Sequence, residues 1–314
     1  MKRTKTRTLR NVEANRGLVS KATKRLRKIQ QAYSRYILSE MMQELASGDY
    51  APLARDSGLI GDYQNDFKNL STKDLSEMVL KRITHLKPHE RLQFASYIKN
   101  SRPLWSKRLL VPVDLFSHWY SRSIASDLTA SQRRLLNSAG VSSETIRERW
   151  TVKVGRTYIS PTAASRLGDT VEATTNLITR IMDADMERIQ EAALRGFEEG
   201  GAYSKLERVL LESKSLHGDL GRIQRVANDQ ANKISYAIQA GNMNDVGITK
   251  GVWIHHPGTY SSRSTHRTMH GKQFDLSLGL WDEKVNKYVL PAELPFCRCK
   301  FRPVLPEGLI KDDD

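Results

Sequence analysis

From Leu18 onward the apolar residues Ala22, Leu26, Ile29, Tyr33, Ile37, Met41 and Leu45 recur every three or four positions, which places them on one face of a helix. A stripe of that length has to be buried against other elements. Gly48 supplies the stop, so the spacing predicts a helix of about 30 residues. The chain of 314 residues is long enough for one large or two modest domains, each with its own core.

The same reading extends along the chain. A turn-rich linker surrounds Pro52 and Gly58. Ser71 or Thr72 caps a shorter helix through Leu86, Pro88 opens another, and Val113 to Asp127 forms a third carrying Leu115, Trp119 and Ile124. Thr129-x-x-Gln132 has the form of a capping box that starts the next. The character changes at Trp150. Thr151 to Ile159 alternates like a small hairpin with Gly155 in its turn, and Ser160 and Pro161 then restart helix. That helix keeps Val171, Ile178, Ile181, Met182, Ile189, Ala193 and Phe197 on one face until Gly200-Gly201, and another runs from Arg222 to Ala240. From Gly251 the pattern shortens. Val252 to Ile254 read as a strand, Pro257-Gly258 as a turn, Ser262 to Met269 as a polar helix, and Phe274 to Leu280 and Lys287 to Leu290 as further strands, with Phe296 to Phe301 closing the fold.

The expected fold is therefore mainly α, with a helical N-terminal region and long helices leading into a small α+β C-terminal domain with short strands. Its expected division is a basic arm and helical domain over 1–150, a second domain over 151–306, and an acidic tail over 307–314 that ends in Asp312, Asp313 and Asp314.

A formal charge of +15 and a pI near 9.8 point to anionic partners. The excess is concentrated in the first residues, where Lys2, Arg3, Lys5, Arg7 and Arg10 are followed by Arg16, Lys21, Lys24, Arg25, Arg27 and Lys28 against the single acid Glu13. Either this is a solvated basic face, or it contacts nucleic acid or an acidic protein surface. No interleaved aromatics or recognised reading motif accompany it, which argues against base-specific reading. The N-terminus leads into polar helix rather than an apolar signal-peptide core, and no apolar run has membrane-spanning length.

Both cysteines of the chain, Cys297 and Cys299, lie in one triplet, so no disulfide framework is available. With His255 and His266 they supply the two sulfurs and two nitrogens of a tetrahedral zinc set, and His270 is a substitute one turn beyond His266. The other reading is packed, hydrogen-bonded histidines beside reduced thiols. A catalytic metal would need a carboxylate base, for which Asp275 and Glu293 are the nearest choices. A Cys-His nucleophile built from either cysteine with His266 lacks an identifiable orienting third group. Glycine-rich phosphate loops, nucleophile elbows and His-Glu-x-x-His are absent from the sequence. His85, His89, His118 and His217 stand singly.

Four short pieces occur in a fixed order: Arg225 to Lys233, Gly247 to His255 with its Trp253-x-His, Arg263-x-x-His266 through Gly271-Lys272, and Glu293-Leu-Pro-Phe-Cys297-Arg298-Cys299. In that order and spacing they resemble the phage Mu F-like head morphogenesis family, over about Thr170 to Pro306. The resemblance makes Trp253, Arg263, His266, Gly271, Cys297, Arg298 and Cys299 structural motif residues. It implies a minor head protein of tailed phages or prophages, located in the inner head near the portal and in the host cytoplasm during assembly. The partners it implies are the portal protein, the major capsid protein or scaffold, and packaged DNA, with self-association as a further property, no membrane and no catalysis. Ser264 stands where the family often has an acid, Ala292 where it commonly has glycine, and His270 where it usually has Asn or Asp. A sequence-independent DNA-binding accessory protein and a zinc-dependent nuclease of the kind fused to toxins are the competing classes.

Overall fold

The computed structural model describes residues 7–48, 70–198, 204–213, 216–257 and 263–307. Lys2, Arg3, Lys5, the linker at Pro52 and Gly58, Gly200-Gly201, the Gly258 turn position and the terminal aspartates lie outside those residues. The described chain is mainly helical, with short antiparallel strands near its C-terminal end. It divides into two compact units, one drawn from residues 1–22, 117–174 and 224–314, the other from 23–116 and 175–223.

The second of these units is all helical. It contains most of α1 (Arg16–Ser47), α2 (Thr72–Thr84), the first part of α3 (Pro88–Ser138), the later part of α5 (Pro161–Glu198) and α6 (Ser204–Glu212). The stripe that defined α1 is its buried face, with Leu26, Tyr33, Ile37 and Met41 all at most 1% exposed, and Gly48 ends the helix at φ 71°. Ser71 caps α2 as half of a capping box with Asp74. In the interior, Asp183 of α5 accepts from Ser106 Oγ at 2.7 Å and pairs with Arg102 at 3.3 Å, so this carboxylate is enclosed with partners.

The expected breaks before Val113 and at Thr129 do not occur: α3 is one 51-residue helix that passes through Pro103 and Pro112. Thr129, expected as a cap, is buried mid-helix and donates to Ala125 O at 2.6 Å. Gln132 is fully buried and serves tertiary bonds instead of a box. Local capping chemistry and an interior back-bonding threonine have the same sequence appearance; burial decides between them.

In the first unit, α4 (Ser143–Arg149) and a hairpin of β1 (Val152–Val154) and β2 (Thr157–Ile159) precede α5, and Gly155 takes the turn at φ 62°. Ser160 Oγ accepts from Ala163 N, as its N-cap position predicts. A three-stranded antiparallel sheet of order β4-β3-β7 follows α7 (Leu220–Asp245), built from β3 (Lys250–Ile254), β4 (Gln273–Asp275) and β7 (Lys300–Val304). A separate ribbon pairs β5 (Leu280–Asp282) with β6 (Lys287–Val289). The continuous strand expected from Phe274 to Leu280 is broken, because Asp275 Oδ1 accepts from Ser277 N and Leu278 N and turns the chain. Ala292 adopts the left-handed conformation of a glycine at φ 67°, a cost of about 1 kcal/mol.

Residues 7–15, expected as part of a basic arm, lie along this unit. Thr8 bridges Val304, Leu9 N donates to Pro303 O at 2.9 Å, and Leu305 N donates to Arg7 O at 3.0 Å, so this segment extends the sheet beyond β7. Further along, Val12 O accepts from Gln239, Glu13 pairs with Lys300, and Asn15 N donates to Asp127.

The buried face of α7 is unusually polar. Asn242 Oδ1 accepts from Ser160 N at 2.8 Å and its Nδ2 donates to Gln132 Oε1 at 2.9 Å, while Tyr236 Oη donates to Leu276 O at 3.0 Å. Gly241 lies against the first turn of α5, where a Cβ would stand 2.4 Å from the Ala163 backbone. Replacing Asn242 by Ala strands the Ser160 N–H and the Gln132 amide. Urea unfolding of Asn242→Ala should show a loss of about 2–4 kcal/mol, and an unchanged midpoint would contradict the role given to this side chain.

Candidate metal centre

The ligand-type side chains of the C-terminal part come from three separate segments. Trp253 lies near the end of β3 with His255 just past it, His266 is on α8 (Ser264–Thr268), and Cys297 and Cys299 precede β7. The main chain holds these pieces in register: Trp253 N donates to Lys272 O and Gly271 N to Trp253 O, both at 2.9 Å, with Gly271 in the left-handed region at φ 80°. Burial along Cys297-Arg298-Cys299 alternates buried, exposed, buried. The single-residue spacing therefore turns both sulfurs inward, as residues two apart do in extended chain.

The result is a compact group. His266 Nδ1 is 3.4 Å from Cys297 Sγ and 3.5 Å from Cys299 Sγ, and the ligand atoms of the three buried residues all lie within 4.8 Å of one another. His255 Nδ1 approaches Cys299 Sγ from the half-buried rim at 3.5 Å. His266 is 2% exposed, and the indole of Trp253 packs against it edge-on at 5.3 Å. The Trp253 N–H is buried and turned toward Cys299 without an aligned hydrogen bond.

The electrostatics favour negative charge on one of the two sulfurs. A hydrogen bond shared between the two thiols holds Cys297 well below the ordinary thiol range, helped by His266, and pushes Cys299 up, with burial adding to the rise. Burial, and after it the charge of Arg267, lowers His255 below the usual histidine value, which favours the neutral ring.

Asp282, which sequence reasoning misses, stands behind His266. Its Oδ2 is 3.3 Å from His266 Nε2 without an aligned hydrogen bond, and the carboxylate is 1% exposed. Thr265 Oγ1 and Lys284 N, each at 3.0 Å, hold it there. No local motif marks it. The signal that could have found it is the requirement that a ligand histidine have a partner for its second nitrogen. The other sequence candidates are occupied elsewhere. His270 is exposed and outside the group, its Nδ1 accepting from His255 N at 3.1 Å. Asp275 caps its own turn, and Glu293 pairs with Lys287 and accepts from Leu290 N. Neither carboxylate has the place of a base at this centre.

The loop carrying the cysteines is anchored from two directions. Asp229 Oδ1 on α7 accepts from Phe296 N at 2.7 Å, and Arg263 Nη2 donates to Pro295 O at 3.0 Å. Asp229 is buried, which raises its carboxyl above the usual range, and Lys233 at 3.0 Å opposes that rise. Phe296 itself takes φ 58° with its ring exposed, so the chain turns sharply just before Cys297.

Residues 187–302 match the model of the family described as Phage Mu protein F like protein. All the residues of this centre and its anchors fall within the matched stretch, which supports the resemblance read from the four sequence pieces. No curated protein and no solved structure matches the chain.

Asp229→Ala should leave the Phe296 N–H and Lys233 without their buried partner and cost about 3 kcal/mol in urea unfolding. Asp229→Asn, which keeps an acceptor for Phe296 N, should recover part of that loss.

Proposed function

We propose that the protein is a minor head protein of a tailed phage or prophage, associated with the portal and inner capsid and needed for head morphogenesis. The observation that carries this reading is the family match over residues 187–302, whose widely separated motif residues meet at one loop. Its partners are the portal protein first, then the major capsid protein or scaffold. The protein self-associates or packs on portal through its long helices, resides in the inner head near the portal, and passes through the host cytoplasm during assembly. Among the described residues no helix is long and apolar enough to cross a membrane. The protein turns over no substrate, in keeping with a family of structural head components and with Asp275 and Glu293 being committed to local bonds.

Co-sedimentation with portal rings should retain the full-length protein, and phage deleted for it should give defective or non-infectious particles. Normal infectious titre from the deletion, or hydrolysis of nucleic acid by the pure protein that disappears in His266→Ala, overturns the reading.

Contact with packaged DNA is supported by a groove of about 250 Å³ in which Arg10 meets Arg134, Ser131 and Ser138, far apart in sequence. Arg7 and Arg10 are both exposed. Binding to duplex DNA should be independent of sequence and fall steeply with salt. Neutralising Lys2, Arg3, Lys5, Arg7 and Arg10 should make the log–log salt slope shallower by about 0.9 for each phosphate that is no longer neutralised. An unchanged slope removes these residues from the interface.

A further inference from the structure

We infer that His266, Cys297 and Cys299 bind a single structural zinc ion, with His255 as the fourth ligand and Asp282 as the positioning residue for the His266 ring. The inference stands apart from the head-protein reading, and its tests do not involve portal or phage.

Geometry is the first support. In a tetrahedral site with Zn–S near 2.3 Å and Zn–N near 2.0 Å, each nitrogen stands about 3.5 Å from each sulfur. The three nitrogen–sulfur separations here are 3.4, 3.5 and 3.5 Å. These contacts are also shared in a way that a cation satisfies well. His266 Nδ1 faces two sulfurs at once, and Cys299 Sγ faces two imidazole nitrogens at once. A proton on His266 Nδ1 bonds one of its two sulfurs well and leaves the other contact weaker. Three groups rich in lone pairs converge within 4.8 Å of one another, His255 reaches them at Cys299, and a cation among them satisfies all of them together.

Asp282 supplies independent support. A carboxylate behind one ring nitrogen favours the proton there and leaves the other nitrogen bare for a metal, the usual outer partner of a ligand histidine. Asp282 has that position relative to Nε2, while Nδ1 faces the sulfurs. It is buried at the end of β5 and fixed by Thr265 and by the Lys284 backbone. Burying a carboxylate behind a merely packed histidine is costly. Behind a metal ligand it sets the tautomer.

The donor set selects the ion and its role. Two thiolates and two imidazoles in a tetrahedron suit zinc over magnesium, calcium or manganese, which prefer oxygen. His255 stands beside Cys299 and completes the coordination by closing on the other three, leaving no position for an activated water, so the ion ties together the end of β3, α8 and the segment before β7.

The test uses the full-length chain purified without chelator and kept reduced. Elemental analysis should find about one zinc per chain, and replacement by cobalt should produce the visible and near-ultraviolet bands of a tetrahedral thiolate site. Cys297→Ser should abolish both. Asp282→Asn should retain the circular dichroism of the parent and bind one zinc at saturation, with affinity lowered by about 10–100-fold. His255→Ala should keep a weakened cobalt spectrum, and an unaltered spectrum would remove His255 from the ligand set. Should Cys297→Ser fail to fold, the parent protein decides: absence of zinc together with absence of a cobalt spectrum in a folded chain overturns the proposal. So does an Asp282→Asn affinity equal to that of the parent.

Discussion

A buried amide or carboxylate without a partner costs on the order of 1–3 kcal/mol, and α7 turns that penalty into a set of positional constraints. Asp229 takes Phe296 N, Gln230 takes the Thr174 hydroxyl, Tyr236 takes Leu276 O, Gln239 takes Val12 O, Asn242 takes Ser160 N, and Asp245 takes Thr162. Together the six bonds reach five stretches of chain, two of them meeting the first turn of α5. Apolar packing alone tolerates small slides of one element over another, whereas these directional bonds break if their partners shift by more than about an ångström. The helix thus fixes where the first turn of α5, the loop after β4, residue 12 and the cysteine loop must lie within its unit.

The same arrangement explains why the four motif pieces are far apart in sequence. The α7 piece contributes Asp229, the β3 piece Trp253 and His255, the α8 piece Arg263 and His266, and the last piece the loop that all of them touch or support. Arg298 faces outward between the two inward cysteines, and the exposed ring of Phe296 stands beside it in sequence.

Much of this was legible in the residues. The α1 stripe, the Ser71 cap, the Gly155 hairpin and the Ser160-Pro161 restart are local effects, set by side-chain period and by capping chemistry within a turn, and all four are present. The candidate ligands were legible too, since His266, Cys297, Cys299 and His255 do come together. What was not legible depends on tertiary burial. Thr129 and Gln132 carry a start signal that the helix overrides because both side chains are used inside it. Asp282 lies in a ribbon whose own sequence gives no reason for a buried acid, and its purpose is visible only once His266 is beside it. His270 has the right helical offset from His266 but leaves the group because α8 ends at Thr268 and the chain turns away.

At the sheet edge Thr8 pairs with Val304, so one strand-like segment comes from the beginning of the described chain and its neighbour from the end. During synthesis the first partner exists long before the second. Until β7 is complete, residues 7–9 have no ladder to join, and Leu9 has none of its β7 backbone partners. Contacts of such long sequence separation form late, after the entropy of closing the intervening chain has been met. The edge pairing is therefore a late closure: a chain interrupted before Val304 lacks the partner that residues 7–9 need.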